Sequence, residues 1–67
     1  MKLYDILMTL SRDTMIRITI RMYGMNFAVD RTAESFLDND AAEELLERRV
    51  TDMRVVERGI LKIVLAE

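Results

Sequence analysis

Arg17, Thr19, Arg21 and Tyr23 recur at every second position, and an extended chain sets all four side chains on one face. Guanidinium groups, a hydroxyl and a ring spread over a sheet suit single-stranded nucleic acid, because cations follow the phosphates and the ring stacks on a base. Arg54 can join them from a later strand, and Met15 lies on the same side of the chain. The face also has a plainer use. Arg17, Arg21 and Arg54 can pair with Asp30, Asp52 or Glu57 across strands, each pair contributing about 0.2 to 1 kcal/mol. A sequence pI near 5.1 favours that use, since dedicated nucleic-acid binders are basic with clustered charge.

Acid is concentrated elsewhere. Glu34, Asp38, Asp40, Glu43, Glu44 and Glu47 lie between Ala33 and Glu47 with no base among them, although the whole chain carries only -2. Glu43, Glu44 and Glu47 are the candidate acidic face: either a solvated helix surface or a mimic of phosphate charge that occupies a basic protein.

Catalysis is disfavoured by inventory. Zero histidine and zero cysteine remove the commonest general base, the commonest metal ligand and the best nucleophile. Ser11 and Ser35 have no base partner in view. Asp38-Asn39-Asp40 lacks the downstream glycine and glutamate of a calcium loop, so helix capping is the expected role. Gly24 and Gly59 stand alone, which rules out a glycine-rich phosphate loop. No catalytic residue, metal or cofactor is assigned, and a non-enzymatic protein is expected.

The elements that must position these residues are legible from periodicity. Ile16, Ile18, Ile20 and Met22 alternate with the arginine face, so Thr14 to Met22 is a half-buried strand rather than a helix. Before it, Leu3, Ile6, Leu7 and Leu10 form an apolar helical stripe over Lys2 to Leu10, which must dock on the isoleucines because so short a helix is unstable alone. After it, Tyr23-Gly24 predicts a tight hairpin into a second strand bearing Met25, Phe27 and Val29. Thr32 can cap a helical turn over Ala33 to Leu37 anchored by Phe36 and Leu37, or the stretch can extend strand two. Asp40 and Glu43 have capping-box spacing and predict a helix from about Ala41 to Arg48, with Ala42, Leu45 and Leu46 inward. A third strand carries Thr51, Met53 and Val55 on one face and turns near Glu57-Arg58-Gly59 into a fourth, Ile60 to Ala66. That last strand is apolar on both faces, so it is expected at the centre of the sheet. In a chain this short its second face points to a dimer.

The 67 residues form one domain, 1–67, with a thin stability margin. The expected fold is α+β in two layers: two β-hairpins make a four-stranded, mostly antiparallel sheet, with two or three short helices on one face. No signal peptide is visible and no apolar run approaches the roughly 20 residues that span a bilayer, so no membrane role and a cytoplasmic location are expected. Methionines in the strands fill the core, except Met15, which shares the arginine face and marks a partner surface.

Arg31-Thr-Ala-Glu-Ser-Phe-Leu37, followed by Glu43-Glu-Leu-Leu-Glu-Arg-Arg-Val50 and a closing hairpin, resembles the layout of small uncharacterised proteins from mobile elements and prophages of Gram-positive gut bacteria. The resemblance covers most of the chain. It implies an accessory protein acting on host machinery, and it carries no functional residues over. The leading expectation is a non-enzymatic interaction protein with a protein partner or a second copy of itself. The alternative is a single-stranded nucleic-acid or RNA binding module using Arg17, Arg21, Tyr23 and Arg54.

Overall fold

The computed structural model describes residues 1–66, with the side chains of Ala41 and Glu57 outside the description. In chain order the elements are α1 (Leu3–Leu7), β1 (Met15–Met22), β2 (Met25–Thr32), α2 (Ala33–Leu37), a turn of 3-10 helix (Asp40–Ala42), α3 (Glu43–Leu46), β3 (Val50–Glu57) and β4 (Ile60–Leu65). The fold is α+β. Four strands form one sheet in the order β2-β1-β4-β3, and it is mixed, because β1 runs parallel to β4 while both hairpins are antiparallel.

The path of the helices accounts for the parallel pair. β2 returns the chain to the start of β1, with Thr32 opposite Met15. The helical stretch then carries it along the sheet to the far end, where Val50 is opposite Leu65 and Leu65 lies beside Ile20. β3 therefore descends, and β4 must ascend alongside β1.

One layer of apolar side chains joins sheet and helices. Leu3, Ile6 and Leu7 of α1, Ile16, Ile18 and Ile20 of β1, Ala33 and Phe36 of α2, and Ile63 and Leu65 of β4 are all buried, with Ala42 and Leu46 closing the cluster. As expected, the α1 stripe lies in the same cluster as the isoleucines. Ala33 to Leu37 proves to be helix, entered directly from β2. Its first amides are satisfied one by one: Ala33 N–H donates to the Thr14 carbonyl at 3.0 Å, Glu34 N–H to that of Arg12 at 2.9 Å, and Ser35 N–H to the Thr32 hydroxyl at 3.2 Å.

Four local expectations need correction. Met25 and Met53 do not fill the core: they lie on the two edge strands and are 60% and 48% exposed. α1 ends at Leu7 and α3 spans only Glu43–Leu46, both shorter than their apolar periodicity predicts. Asp40 does not cap α3: it opens the 3-10 turn, Ala42 occupies the N-cap position with no side-chain bond, and Asp38 instead ends α2. Arg48 therefore lies beyond the helix, where it donates to Glu44 at 2.9 Å and to the Ala66 carbonyl at 3.3 Å, tying α3 to the end of β4. Finally, Thr51 does not share an alternating face with Met53 and Val55. The register shifts between Val50 and Asp52, so Val50 and Met53 both lie opposite core residues of β4, and two-residue alternation fails between them.

Candidate functional site

Because Ile16, Ile18 and Ile20 face the helices, Met15, Arg17, Thr19 and Arg21 occupy the opposite side of β1. Among the described residues no helix covers that side. Strand pairing extends it into rows: Asp30, Arg17, Lys62 and Arg54 lie side by side across all four strands, Ala28, Thr19, Val64 and Asp52 form the next row, and Thr32, Met15 and Ile60 another. Four of the five candidate face residues, Met15, Arg17, Arg21 and Arg54, are thus brought onto one surface. Met15 is 38% exposed there. Tyr23 is not on the face. It occupies the hairpin turn with φ 53° and is 95% exposed, because a two-residue turn with both residues at positive φ matches the twist of the strands.

Two of the cations are already engaged. Arg17 grips Asp30 on β2 through two bonds, Nε to Oδ1 at 2.9 Å and Nη2 to Oδ2 at 3.0 Å. Arg54 holds Asp52 two residues earlier on its own strand, at 2.6 Å from Nη2 and 3.1 Å from Nε. The Arg17 bond holds the Asp30 carboxyl below its ordinary range, and the Arg54 bond does the same for Asp52, with the nearby Lys62 charge adding a smaller pull. The possible pairing with Glu57 falls outside the described residues.

Lys62 is the residue that sequence reasoning missed. By spacing alone Lys62 falls between Ile60 and Val64 on the second face of a largely apolar strand. Once β4 lies parallel to β1, it stands between Arg17 and Arg54 and completes a row of three cations. Among the described residues neither Lys62 nor Arg21 forms an ion pair, and Arg21 stands opposite Asn26.

The acidic face is largely spent on the fold. Glu44 pairs with Arg48 at 2.9 Å and Glu47 with Lys2 at 2.7 Å, a bond that raises the Lys2 ammonium above its usual range. Only Glu43 of the three stands exposed without an ion pair among the described residues. Two open hollows flank the helices, of about 210 Å³ against Tyr4, Met8, Arg12 and Glu34, and of about 160 Å³ between β2 and the α2 region. Among the described residues no three of His, Cys, Asp and Glu converge as metal ligands, and no helix is long and apolar enough to cross a membrane.

The open face is a pleated surface on which the Arg17–Asp30 and Arg54–Asp52 pairs, together with Lys62 and Arg21, interleave with Met15, Ile60 and Val64. No protein-family model, curated protein or solved structure matches the chain.

Proposed function

We propose that this chain is a small non-enzymatic interaction protein that docks a protein partner on the helix-free face of its sheet, an accessory role of the kind its layout resemblance implies. One observation carries the reading: every helix lies on the other side, leaving Met15, Ile60 and Val64 beside Arg17, Lys62 and Arg54 on an uncovered surface. Apolar area mixed with arginines that already hold counterions suits a protein interface, where a polyanion would have to compete with Asp30 and Asp52 for the guanidinium groups of Arg17 and Arg54.

Affinity capture from the native host with wild type, Arg21→Glu and Lys62→Glu tests it. A partner held by wild type and released by both variants is expected. Retention of every partner by both variants would overturn the reading. A second reading rests on Arg21, which has no ion pair among the described residues, and on Tyr23 at the same end of β1: single-stranded nucleic acid held by these two. Counterion release requires such binding to weaken as salt rises, so no binding of mixed oligonucleotides at low salt dismisses it.

A further inference from the structure

We propose that two copies of this chain join through β2, edge to edge and antiparallel, with Ala28 on the two-fold axis, forming one continuous eight-stranded sheet. This rests on the reading of the chain as an interaction protein and names one partner, a second copy, at a surface distinct from the helix-free face.

The sheet has two edges, β2 and β3, and they differ. β3 is broken by register shifts between Val50 and Asp52 and between Val55 and Glu57. Its beginning is also covered, because Leu3 N–H donates to the Arg48 carbonyl at 3.0 Å and Val50 N–H to that of Met1 at 2.8 Å. Bulges and covering segments are the devices that keep an edge from pairing. β2 has neither. Its eight residues, Met25 to Thr32, pair with β1 without an irregularity.

Parity then fixes which groups of β2 are free. The bond from Ala33 N–H to Thr14 continues the β1–β2 ladder, and bonded pairs alternate along an antiparallel ladder. Arg31, Val29, Phe27 and Met25 therefore turn their amides and carbonyls toward β1. Those of Asn26, Ala28 and Asp30 point away from the sheet.

Self-pairing about Ala28 uses all three. It sets Asn26 against the partner's Asp30, Phe27 against the partner's Val29 and Met25 against the partner's Arg31, so no like charges meet. Placing the axis at Asp30 instead would oppose two carboxylates. The register also covers what a lone chain leaves in water, since Met25 is 60% exposed and Phe27 and Val29 are each 41% exposed on the helix side of β2. On that side lies the hollow of about 160 Å³ lined by Val29, Arg31, Phe36, Asn39, Ala42 and Leu45. The partner's Met25 stands opposite Arg31 at its lip, and a flexible thioether chain adapts to such a space.

Sedimentation across micromolar concentrations tests the proposal. The expected mass is twice 7.9 kDa at high concentration, and a mass of 7.9 kDa throughout overturns it. Asn26→Asp creates two like-charge pairs across the axis and is expected to weaken dimerisation by about threefold to thirtyfold, while Asn26→Lys tightens it. The residue is exposed and stands opposite Arg21 of β1, so within the monomer the aspartate adds a favourable cross-strand pair and the lysine an unfavourable one, opposite in sign to their expected effects on the dimer. Equal or reversed effects overturn the register. Ala28→Pro removes the two central bonds and is expected to give a folded monomer by circular dichroism, proline being tolerated where an edge N–H faces solvent. Should that variant unfold, the Asn26 pair decides. Lys62→Glu is expected to leave the dimer intact. If it dissociates the dimer while Asn26→Asp does not, copies meet through the helix-free face, which overturns the edge pairing and leaves the proposed function standing.

Discussion

The Arg17 guanidinium and the Asp30 carboxylate meet in two parallel hydrogen bonds of 2.9 and 3.0 Å across the β1–β2 hairpin, directly opposite one another in the register. This two-point grip fixes the side-chain geometry on the open face and ties the edge strand to its neighbour. It turns a candidate ligand-binding cation into a clamp within the sheet.

The clamp makes stability depend on acid. Asp30 and Asp52 both titrate below their ordinary range when folded, because each carboxylate accepts from an arginine. Their contribution is therefore complete above the unfolded carboxylate pKa of about 3.9 and is lost as pH falls through the lower folded values. Thermal melts between neutral pH and pH about 2 should show a flat plateau and then a fall. The double variant Asp30→Asn with Asp52→Asn should fall less steeply, and an acid limb as steep as that of wild type would refute the assignment.

The strand-to-helix corner should be sensitive to one hydroxyl. Thr32 caps α2 by accepting from Ser35 N–H at 3.2 Å. Thr32→Ala is expected to lower the unfolding free energy by about 1 kcal/mol, and Thr32→Ser to restore most of it. Urea unfolding of the two variants checks this, with equal loss in both counting against the cap.

Burial predicts a contrast within one hairpin. Ile63 on β4 is fully enclosed, whereas Val55 on β3 is 73% exposed. Ile63→Val should cost about 1 kcal/mol from the lost methylene and the space it leaves, and Val55→Ala under about 0.5 kcal/mol. Similar losses at the two sites, read from denaturation midpoints, would show that Val55 is covered in solution.

The turn between β1 and β2 carries strain at Tyr23. Its φ of 53° lies in the left-handed region, beside Gly24 at 75°, the two-residue arrangement that favours Asn-Gly. Tyr23→Asn should stabilise the chain by up to about 1 kcal/mol and raise the melting temperature by several degrees. Gly59→Ala should act in the opposite sense, since Gly59 has φ 70° and open space around it, leaving only the backbone cost of about 1 kcal/mol. No gain in Tyr23→Asn would show that the ring makes a stabilising contact outweighing the strain.

Much of this architecture was readable because periodicity reports which face is buried. Ile16, Ile18 and Ile20, the α1 stripe and the central position of β4 all follow from spacing alone, and both glycines mark the turns they predict. Spacing does not report neighbours. That β4 lies parallel to β1 depends on how far the helical stretch travels along the sheet, and only this relation brings Lys62 beside Arg17. The bulge at Thr51 was illegible for a similar reason, since it is a property of the pairing between β3 and β4. The cap was misassigned because Asp38, Asn39 and Asp40 are all competent, and the choice among them depends on where α2 ends. On the candidate face the arginines were visible, while their partners required the register.

The parallel seam governs how the polypeptide reaches its native form. Met15 and Ile60 are strand neighbours, yet everything from Ile16 to Gly59 separates them, so this contact is remote in the chain and its loop closure comes at a high entropic cost. On the ribosome the first hairpin emerges long before its inner neighbour exists. During that interval β1 offers a bare flank of isoleucine-bearing backbone, and folding speed, more than final stability, sets the exposure of nascent chains to aggregation.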